Sequence, residues 1–263
     1  MCTILLLRRA HPALPLIVAA NRDELYQRRA TGPELLDPGA RVVGGRDLQH
    51  GGSWMGVTAA GLFVGLTNQR SYRLPTPGPR SRGEIVLECL RRGSTAEIRR
   101  YLAALDLRQY GAFNLVFGDA DELGLAYARP EAGGLELARA PDGMFVLVND
   151  RLGSLEFPKA ERALELARGL AGLGWPELVP PLQRLLGDHE LPPAERIPEP
   201  PAASTLPPAL LRQLQALCIH TRAYGTCSST ILGLEPGRVA HYLFAAGPPC
   251  RTPFVDVTSL LGD

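Results

Sequence analysis

The chain begins with a short apolar run and returns to another after a turn. Thr3–Leu7 and Leu16–Ala20 consist almost wholly of apolar residues, and a proline-containing break separates them. Two apolar, β-favouring runs joined by a turn are typical of a hairpin. We therefore predict an antiparallel hairpin whose first strand starts at Cys2 and whose second strand ends near Ala20.

Further along, the pattern alternates between strand-like and helix-like stretches. Glycines mark the turns of a second predicted hairpin, Ser53–Thr58 with Leu62–Thr67. Other strands are predicted at Arg41–Val43, Phe113–Phe117, Leu123–Tyr127, Leu135–Ala138, Met144–Val148, Ser228–Leu234 and Arg238–Phe244. Helical spacing of apolar residues predicts helices at Ser81–Arg92, Ser94–Leu105, Pro158–Leu170, Pro176–Leu186 and Pro207–Cys218. This order predicts an α+β fold of antiparallel sheets covered by helices.

The chain length of 263 residues fits one large domain or two small ones. The stretch 189–208 is rich in proline, which neither a helix interior nor a central strand accommodates. We interpret it as a long surface loop and not as a domain linker. The prediction is one domain over residues 1–263.

Composition and charge exclude several functional classes. A hydrophobic fraction of 45% and a charged fraction of 21% are typical of a globular protein with a sizeable core. A net charge of +1 gives no bulk attraction to nucleic acid or to an anionic membrane. The sequence shows no apolar stretch long enough to span a membrane and no signal peptide, so we expect a cytoplasmic protein. Without a glycine-rich nucleotide motif, we predict no cofactor.

The five cysteines and five histidines indicate neither disulfides nor a metal site. An odd number of cysteines without a repeated spacing argues against a disulfide framework. Cys218, His220 and Cys227 are close in sequence, but their spacing fits no standard zinc motif. We predict no metal ligands.

Cys2 is the first candidate for chemistry. Removal of Met1 would leave a thiol and a free α-amine on one residue, which is a nucleophile with its own base. If Met1 is retained, this mechanism fails. The alternative is that Cys2 is simply a small apolar residue at the start of a strand.

The tetrapeptide "NRDE" follows the second predicted strand. In a hairpin the end of the second strand lies beside the start of the first, so Asn21 to Asp23 should lie near Cys2. The Asp23 carboxylate is then placed to anchor or orient the amine. Arg22 is placed either to hold a substrate carboxylate or to pair with Asp23 or Glu24. The alternative is an ordinary solvated strand end.

Long motifs in the same order resemble the transport and Golgi organisation protein 2 family, also called the NRDE family. They are "MC", "ANRDE", "GGRDLQHGGSWMGV", "GLFVGLTNQR", "SRGEIVLECL", "GAFNLVFGD" and "YGTCSSTILGL". The family's Pro-Trp-Pro-Lys stretch corresponds here to Glu156–Lys159. Because the family is grouped with N-terminal nucleophile hydrolases, the resemblance implies a four-layer αββα sandwich with Cys2 opening a central strand.

The resemblance also implies roles for individual residues. Cys2 is the expected nucleophile, with Asp23 orienting it and with Asn68 and Asn149 near the oxyanion and the amine. Apart from the resemblance, we expect substrate contacts from Asn21, Arg22, Trp54 and Arg70. For Trp54 a place in the core is the alternative to a place in the wall of the cleft, because aromatic side chains dominate cores.

Two functions remain open from the sequence. The first is a cysteine amidohydrolase or acyltransferase that acts on a small acyl amide or related acyl compound. The second, which rests on the resemblance alone, is non-catalytic binding and trafficking of haem or of acyl-coenzyme A and lipids. The expected partner is a small molecule in both cases.

Overall fold

A computed structural model describes residues 2–70, 80–132, 134–154, 156–202 and 204–262, which form two antiparallel sheets with helices outside them. The first sheet has, in spatial order, β10 (Gly143–Leu147), β1 (Thr3–Arg8), β2 (Leu16–Leu25), β11 (Tyr224–Glu235), β12 (Arg238–Ala245) and β13 (Val255–Asp256). The second has β3 (Ala30–Asp37), β4 (Val42–Asp47), β5 (Met55–Thr58), β6 (Phe63–Asn68), β7 (Phe113–Gly118), β8 (Leu123–Arg129) and β9 (Gly134–Arg139). The α-helices are α1 (Arg82–Arg91), α2 (Thr95–Ala103), α3 (Pro158–Leu166), α4 (Trp175–Leu186) and α5 (Pro208–Gln213).

Side chains on successive positions of β1 enter two different cores. Ile4 and Leu6 pack between the two sheets, whereas Leu5 and Leu7 pack under α3 and α4. The apolar run is continuous because both faces of this strand are covered. A third core lies between the second sheet and α1 and α2. The predicted four-layer αββα sandwich is therefore confirmed.

The first hairpin forms as expected, but its second strand is longer than predicted. β1 and β2 pair antiparallel, with Thr3 opposite Asn21. β2 continues through "NRDE" to Leu25 because β11 pairs with it along this half, with Tyr224 opposite Leu25. The prediction of a strand end near Ala20 was wrong, since the distant β11 supplies the partner.

Two strands were missed from the sequence, the two-residue β13 and the longer β3. β3 contains Gly32 and Pro33, which both disfavour a strand, and its register shifts between Ala30 and Pro33. It lies at the edge of the second sheet. Proline is tolerated at such an edge because no partner needs its missing N–H group.

Helix ends follow local capping and tertiary hydrogen bonds. The Ser94 hydroxyl accepts a hydrogen bond from the Glu97 N–H group at the start of α2. α5 ends at Gln213, before the predicted Cys218. The Cys218 N–H group instead donates to the Asp188 carbonyl at 2.8 Å, which ties this segment to the end of α4. None of the helices in the described ranges is long and apolar enough to cross a membrane.

Candidate active site

Cys2 directly precedes β1, which lies between β2 and β10 in the first sheet. The registers place Thr3 opposite Asn21 on β2 and Ile4 opposite Leu147 on β10. Continued to residue 2, they place Arg22 on one side of Cys2 and Asn149 on the other. The hairpin therefore brings "NRDE" to Cys2 as predicted.

The Cys2 side chain faces the second sheet. It shares the face of Ile4 and Leu6, which belong to the core between the sheets. A cavity of about 10 Å³ lies against it, which is room for about one water molecule. Its mainly apolar walls come from both sheets and include Ile4, Trp54, Met55 and Leu66, together with the cationic Arg22.

Burial is the main influence on the Cys2 thiol, and it raises the pKa above the ordinary cysteine value. The negative charge of Asp23 raises the pKa further, while the Asp23 N–H group and Arg22 oppose the increase. A thiol with a raised pKa is protonated at neutral pH, and the thiolate is the nucleophilic form. Chemistry at Cys2 therefore needs a base.

Asp23 forms a buried ion pair with Lys159, a residue that was not among the predicted site residues. The Asp23 Oδ2 atom lies 4.0 Å from the Lys159 Nζ atom, and both side chains are fully buried. Asp23 belongs to β2 and Lys159 to the first turn of α3, so the pair joins the sheet to the helix layer. The Thr226 hydroxyl donates to Asp23 Oδ1 at 2.6 Å and orients the carboxylate.

Both members of this pair have shifted pKa values. Burial raises the pKa of Asp23, and the positive charge of Lys159 opposes that increase. Burial lowers the pKa of Lys159, and the charges of Asp23 and Cys2 oppose that decrease. Among the described residues the Lys159 ammonium has no hydrogen-bond partner. A buried, charge-coupled pair beside a candidate nucleophile is a common feature of functional sites.

A sequence signal for Lys159 did exist. It is the only lysine in a chain with 28 lysine and arginine residues. Lysine, unlike arginine, loses its proton readily when it is buried. The single lysine is therefore visible in the sequence as a residue that differs from all the other basic side chains.

Asn21 lines the cavity, but its side chain is held by the protein. The amide nitrogen donates to the carbonyls of Leu186 and Leu217, both at 2.8 Å, and the amide oxygen accepts from the Ser229 hydroxyl. These bonds fix β2 to the helix layer. The predicted contact between Asn21 and substrate stays a prediction.

Arg22 and Trp54 form one wall of the cavity together. The Arg22 guanidinium lies 4.4 Å from the centroid of the Trp54 ring and donates to the Arg28 carbonyl at 3.4 Å. Arg22 is buried, and within the described ranges it forms no ion pair with a carboxylate. Trp54 packs against the core between the sheets and also lines the cavity, so the two alternatives for this residue are compatible.

Asn149 and Asn68 are connected, but they do not contribute in the same way. The Asn149 amide nitrogen donates to the Asn68 backbone carbonyl at 2.6 Å. Asn149 is buried, and its amide oxygen has no hydrogen-bond partner among the described residues. The register places Asn149 beside Cys2, whereas Asn68 contacts Asn149 through its backbone carbonyl.

The Arg70 side chain contacts the segment around Glu156 and Phe157. Its guanidinium lies 4.1 Å from the centroid of the Phe157 ring and forms an ion pair with Glu156. The Arg70 N–H group donates to the Asn149 carbonyl at 2.8 Å. Arg70 is not among the described residues that line the Cys2 cavity, and its predicted substrate contact stays a prediction.

Comparison with known proteins identifies both the family and the fold. The model of the Transport and Golgi organisation 2 family matches residues 1–243. A Transport and Golgi organization protein 2 homolog from Bos taurus is 29% identical over 237 residues, covering 84% of this chain and 82% of the relative. The Homo sapiens homolog is 26% identical over 231 residues, with the same coverage of 84% and 82%.

Two solved structures share the architecture at low sequence identity. A variant of conjugated bile acid hydrolase from Clostridium perfringens has a TM-score of 0.57 and 12% identity, covering 100% of this chain and 95% of that protein. The Caenorhabditis elegans ortholog of N-acylethanolamine-hydrolyzing acid amidase has a TM-score of 0.54 and 10% identity, covering 88% of this chain and 92% of that protein. The fold is that of N-terminal nucleophile hydrolases, as expected from the resemblance.

Proposed function

We propose that this chain, which belongs to the Transport and Golgi organisation 2 family, is a cysteine amidohydrolase or acyltransferase with Cys2 as its nucleophile. The observation that carries the proposal is the placement of the Cys2 thiol. It faces a cavity between the sheets, and strand register puts Arg22 and Asn149 on its two sides.

Removal of Met1 would supply the missing base. The α-amine of Cys2 accepts the thiol proton, and the thiolate attacks the carbonyl carbon of an acyl amide. Collapse of the tetrahedral intermediate breaks the C–N bond, and the α-ammonium returns its proton to the departing nitrogen. The resulting thioester transfers its acyl group to water in a hydrolase, or to an acceptor amine in an acyltransferase.

The oxyanion of the intermediate needs a donor that is already in place. The Asn149 amide nitrogen is held by its bond to the Asn68 carbonyl and keeps a second N–H group for a substrate oxygen. A preorganised donor of this kind supplies roughly 3–4 kcal/mol of transition-state stabilisation.

The wall of the cavity favours an acyl group with anionic character. The buried Arg22 guanidinium lines this cavity without a carboxylate partner among the described residues, and its planar fork suits a carboxylate on the substrate.

The test begins with the mass of the intact protein, which reports whether Met1 is removed. The protein is then incubated with a panel of small N-acyl amides, with and without a terminal carboxylate, and the acyl adduct is mapped by peptide mass spectrometry. We expect an adduct on Cys2, none in Cys2→Ala, and wild-type labelling in Cys227→Ser. Cys227 is a matched control because it is a partly buried thiol whose S–H group contacts the Glu24 carbonyl on the same strand as Arg22.

Retention of Met1 together with the absence of any Cys2 adduct would contradict the proposal. Saturable binding of haemin or long-chain acyl-coenzyme A without an adduct or product would instead support the non-catalytic alternative. Quenching of Trp54 fluorescence, measured in a Trp175→Phe background, reports binding in the wall of the cavity.

A further inference from the structure

Four potential metal ligands meet away from the Cys2 cavity. His189, Cys218, His220 and Cys250, which we call the Cys/His cluster, place one ligand atom each within 4.8 Å of all the others. Cys218 is buried, His220 is partly buried, and His189 and Cys250 are exposed. The cluster borders an open groove of about 540 Å³, which gives an ion access from solvent.

The distances among Cys218, His220 and Cys250 in the Cys/His cluster match those around a tetrahedral zinc ion. With zinc–sulfur bonds of about 2.3 Å and zinc–nitrogen bonds of about 2.0–2.1 Å, the two sulfurs lie about 3.8 Å apart and each sulfur about 3.6 Å from a nitrogen. The Cys218 and Cys250 sulfurs are 3.8 Å apart. The His220 Nε2 atom lies 3.5 Å from the Cys218 sulfur and 3.4 Å from the Cys250 sulfur.

His189 is positioned to complete the tetrahedron. Its ring centroid is 5.0 Å from that of His220, and its Nδ1 atom lies 3.3 Å from the Cys218 carbonyl. One of its ring nitrogens already lies within 4.8 Å of the other three ligand atoms, and the side chain is exposed, so we expect the ring to turn toward them when an ion binds.

The fold assembles the Cys/His cluster from three segments, which is why the sequence did not reveal it. His189 follows α4, Cys218 and His220 precede β11, and Cys250 lies in the turn after β12. The separations along the chain are 29, 2 and 30 residues, which match no standard zinc motif. Cys227, which is close to Cys218 and His220 in sequence, instead contacts the carbonyls of Glu24 and Gly225.

We propose that the Cys/His cluster binds one zinc ion and thereby fastens the end of α4, the segment before β11 and the turn after β12 to one another. Two thiolates and two imidazoles are soft and borderline ligands, which favour zinc over magnesium or calcium. Four protein ligands leave no open position, so the ion has a structural role.

Arg251 must change its contact when zinc binds. Its guanidinium now donates to the His220 Nδ1 atom at 2.8 Å. Coordination through Nε2 places the imidazole proton on Nδ1, which then becomes a donor. The exposed Arg251 side chain therefore turns away, and Nδ1–H is free to donate to water or to a carbonyl.

The proposal is tested on the full-length protein, reduced and stripped of metal with a chelator. After zinc is added and the excess is removed by desalting, the bound zinc is measured by inductively coupled plasma mass spectrometry. In a parallel sample loaded with cobalt, the visible absorption spectrum reports tetrahedral coordination by thiolates. We expect one zinc per chain, a rise in Tm of several degrees with zinc, and the tetrahedral cobalt spectrum. Magnesium added in place of zinc should leave the Tm unchanged.

Substitutions separate ligation from general effects on folding. Cys250→Ser changes an exposed side chain and should remain folded by circular dichroism, yet lose stoichiometric zinc and the cobalt spectrum. Cys227→Ser, the control, should retain both. Three results would overturn the proposal: no zinc bound while both thiols are free, stoichiometric zinc in Cys250→Ser, or loss of zinc in Cys227→Ser. If the protein is isolated with a Cys218–Cys250 disulfide, a failure to bind zinc once that disulfide has been reduced would also contradict the proposal.

Discussion

Replacement of Lys159 by methionine tests whether the buried pair with Asp23 is charged. Methionine keeps an unbranched chain of similar length but has no ammonium group. At the observed separation of 4.0 Å the attraction between unit charges is about 4 kcal/mol for an effective dielectric constant of about 20. Removal of one partner from a buried pair costs about 3–5 kcal/mol. We therefore expect Lys159→Met to lower the free energy of unfolding by that amount.

The matched experiment removes both charges. The side-chain amide oxygen introduced by Asp23→Asn would still accept the hydrogen bond from the Thr226 hydroxyl, so combining this substitution with Lys159→Met leaves no uncompensated charge. The double variant should be less destabilised than Lys159→Met alone, with a coupling energy of about 2–3 kcal/mol. Urea denaturation followed by circular dichroism at pH 7 gives all four free energies of the cycle.

The pH dependence of Lys159→Met provides a second test of the same pair. Because the pKa of Asp23 is raised in the folded state, there is a pH range above the ordinary carboxyl pKa in which folded Asp23 is protonated and unfolded Asp23 is not. The free energy of unfolding therefore falls as the pH rises through this range. Without the positive charge of Lys159 the pKa of Asp23 should be raised further, so the fall in the free energy of unfolding should extend to higher pH. The variant should therefore regain stability relative to wild type on acidification. A cost below about 1 kcal/mol, or one that is independent of pH, would refute the charged pair.

Three other changes probe the Cys2 site. At pH 7 iodoacetamide should alkylate Cys2 more slowly than it alkylates a free cysteine, and the rate should still be increasing at pH values above the ordinary thiol pKa, because burial raises the pKa of Cys2. Peptide mass mapping measures the rate, and a rate that is already maximal at pH 7 would contradict this expectation. Gly45→Ala should lower the free energy of unfolding by about 1–3 kcal/mol in thermal unfolding, because a Cβ at this position would lie 2.1 Å from the Trp54 ring. The loss should be smaller when Gly45→Ala is made in a Trp54→Ala protein, and an equal loss with Trp54 present or absent would exclude the clash. Asn149→Ala should lower kcat about 10²–10³-fold with little change in KM on any amide that the wild type cleaves, whereas an unchanged kcat would exclude an oxyanion role.

Local patterning predicted the parts of the site that a single hairpin creates. The apolar runs and the turn between them placed Asn21 to Asp23 beside Cys2, because the register of a hairpin depends on neighbouring residues. The strand around Ala30–Asp37 was missed because its glycine and proline are tolerated only through its position at the edge of a sheet.

Contacts between layers were beyond sequence reasoning. The ion pair between Asp23 and Lys159 depends on how α3 packs on the first sheet, which no local spacing encodes. The meeting of His189, Cys218 and Cys250 likewise depends on where three chain segments end on the folded surface. In both cases the residue types were visible in the sequence, but their proximity was not.

Strand alternation places the thiol and the carboxylate on opposite faces of the first sheet. Cys2 and Arg22 face the second sheet, whereas Asp23 faces the helix layer and meets Lys159 in α3. Asp23 approaches the thiol through its backbone N–H group, and its negative charge raises the thiol pKa. Under the proposed function, the carboxylate is therefore unsuited to remove the thiol proton directly. The remaining candidate is the backbone nitrogen of residue 2, which becomes a free amine only when Met1 is removed. Under the proposed function we therefore expect that amine to act as the base, with the charges of Asp23 and Lys159 tuning its pKa.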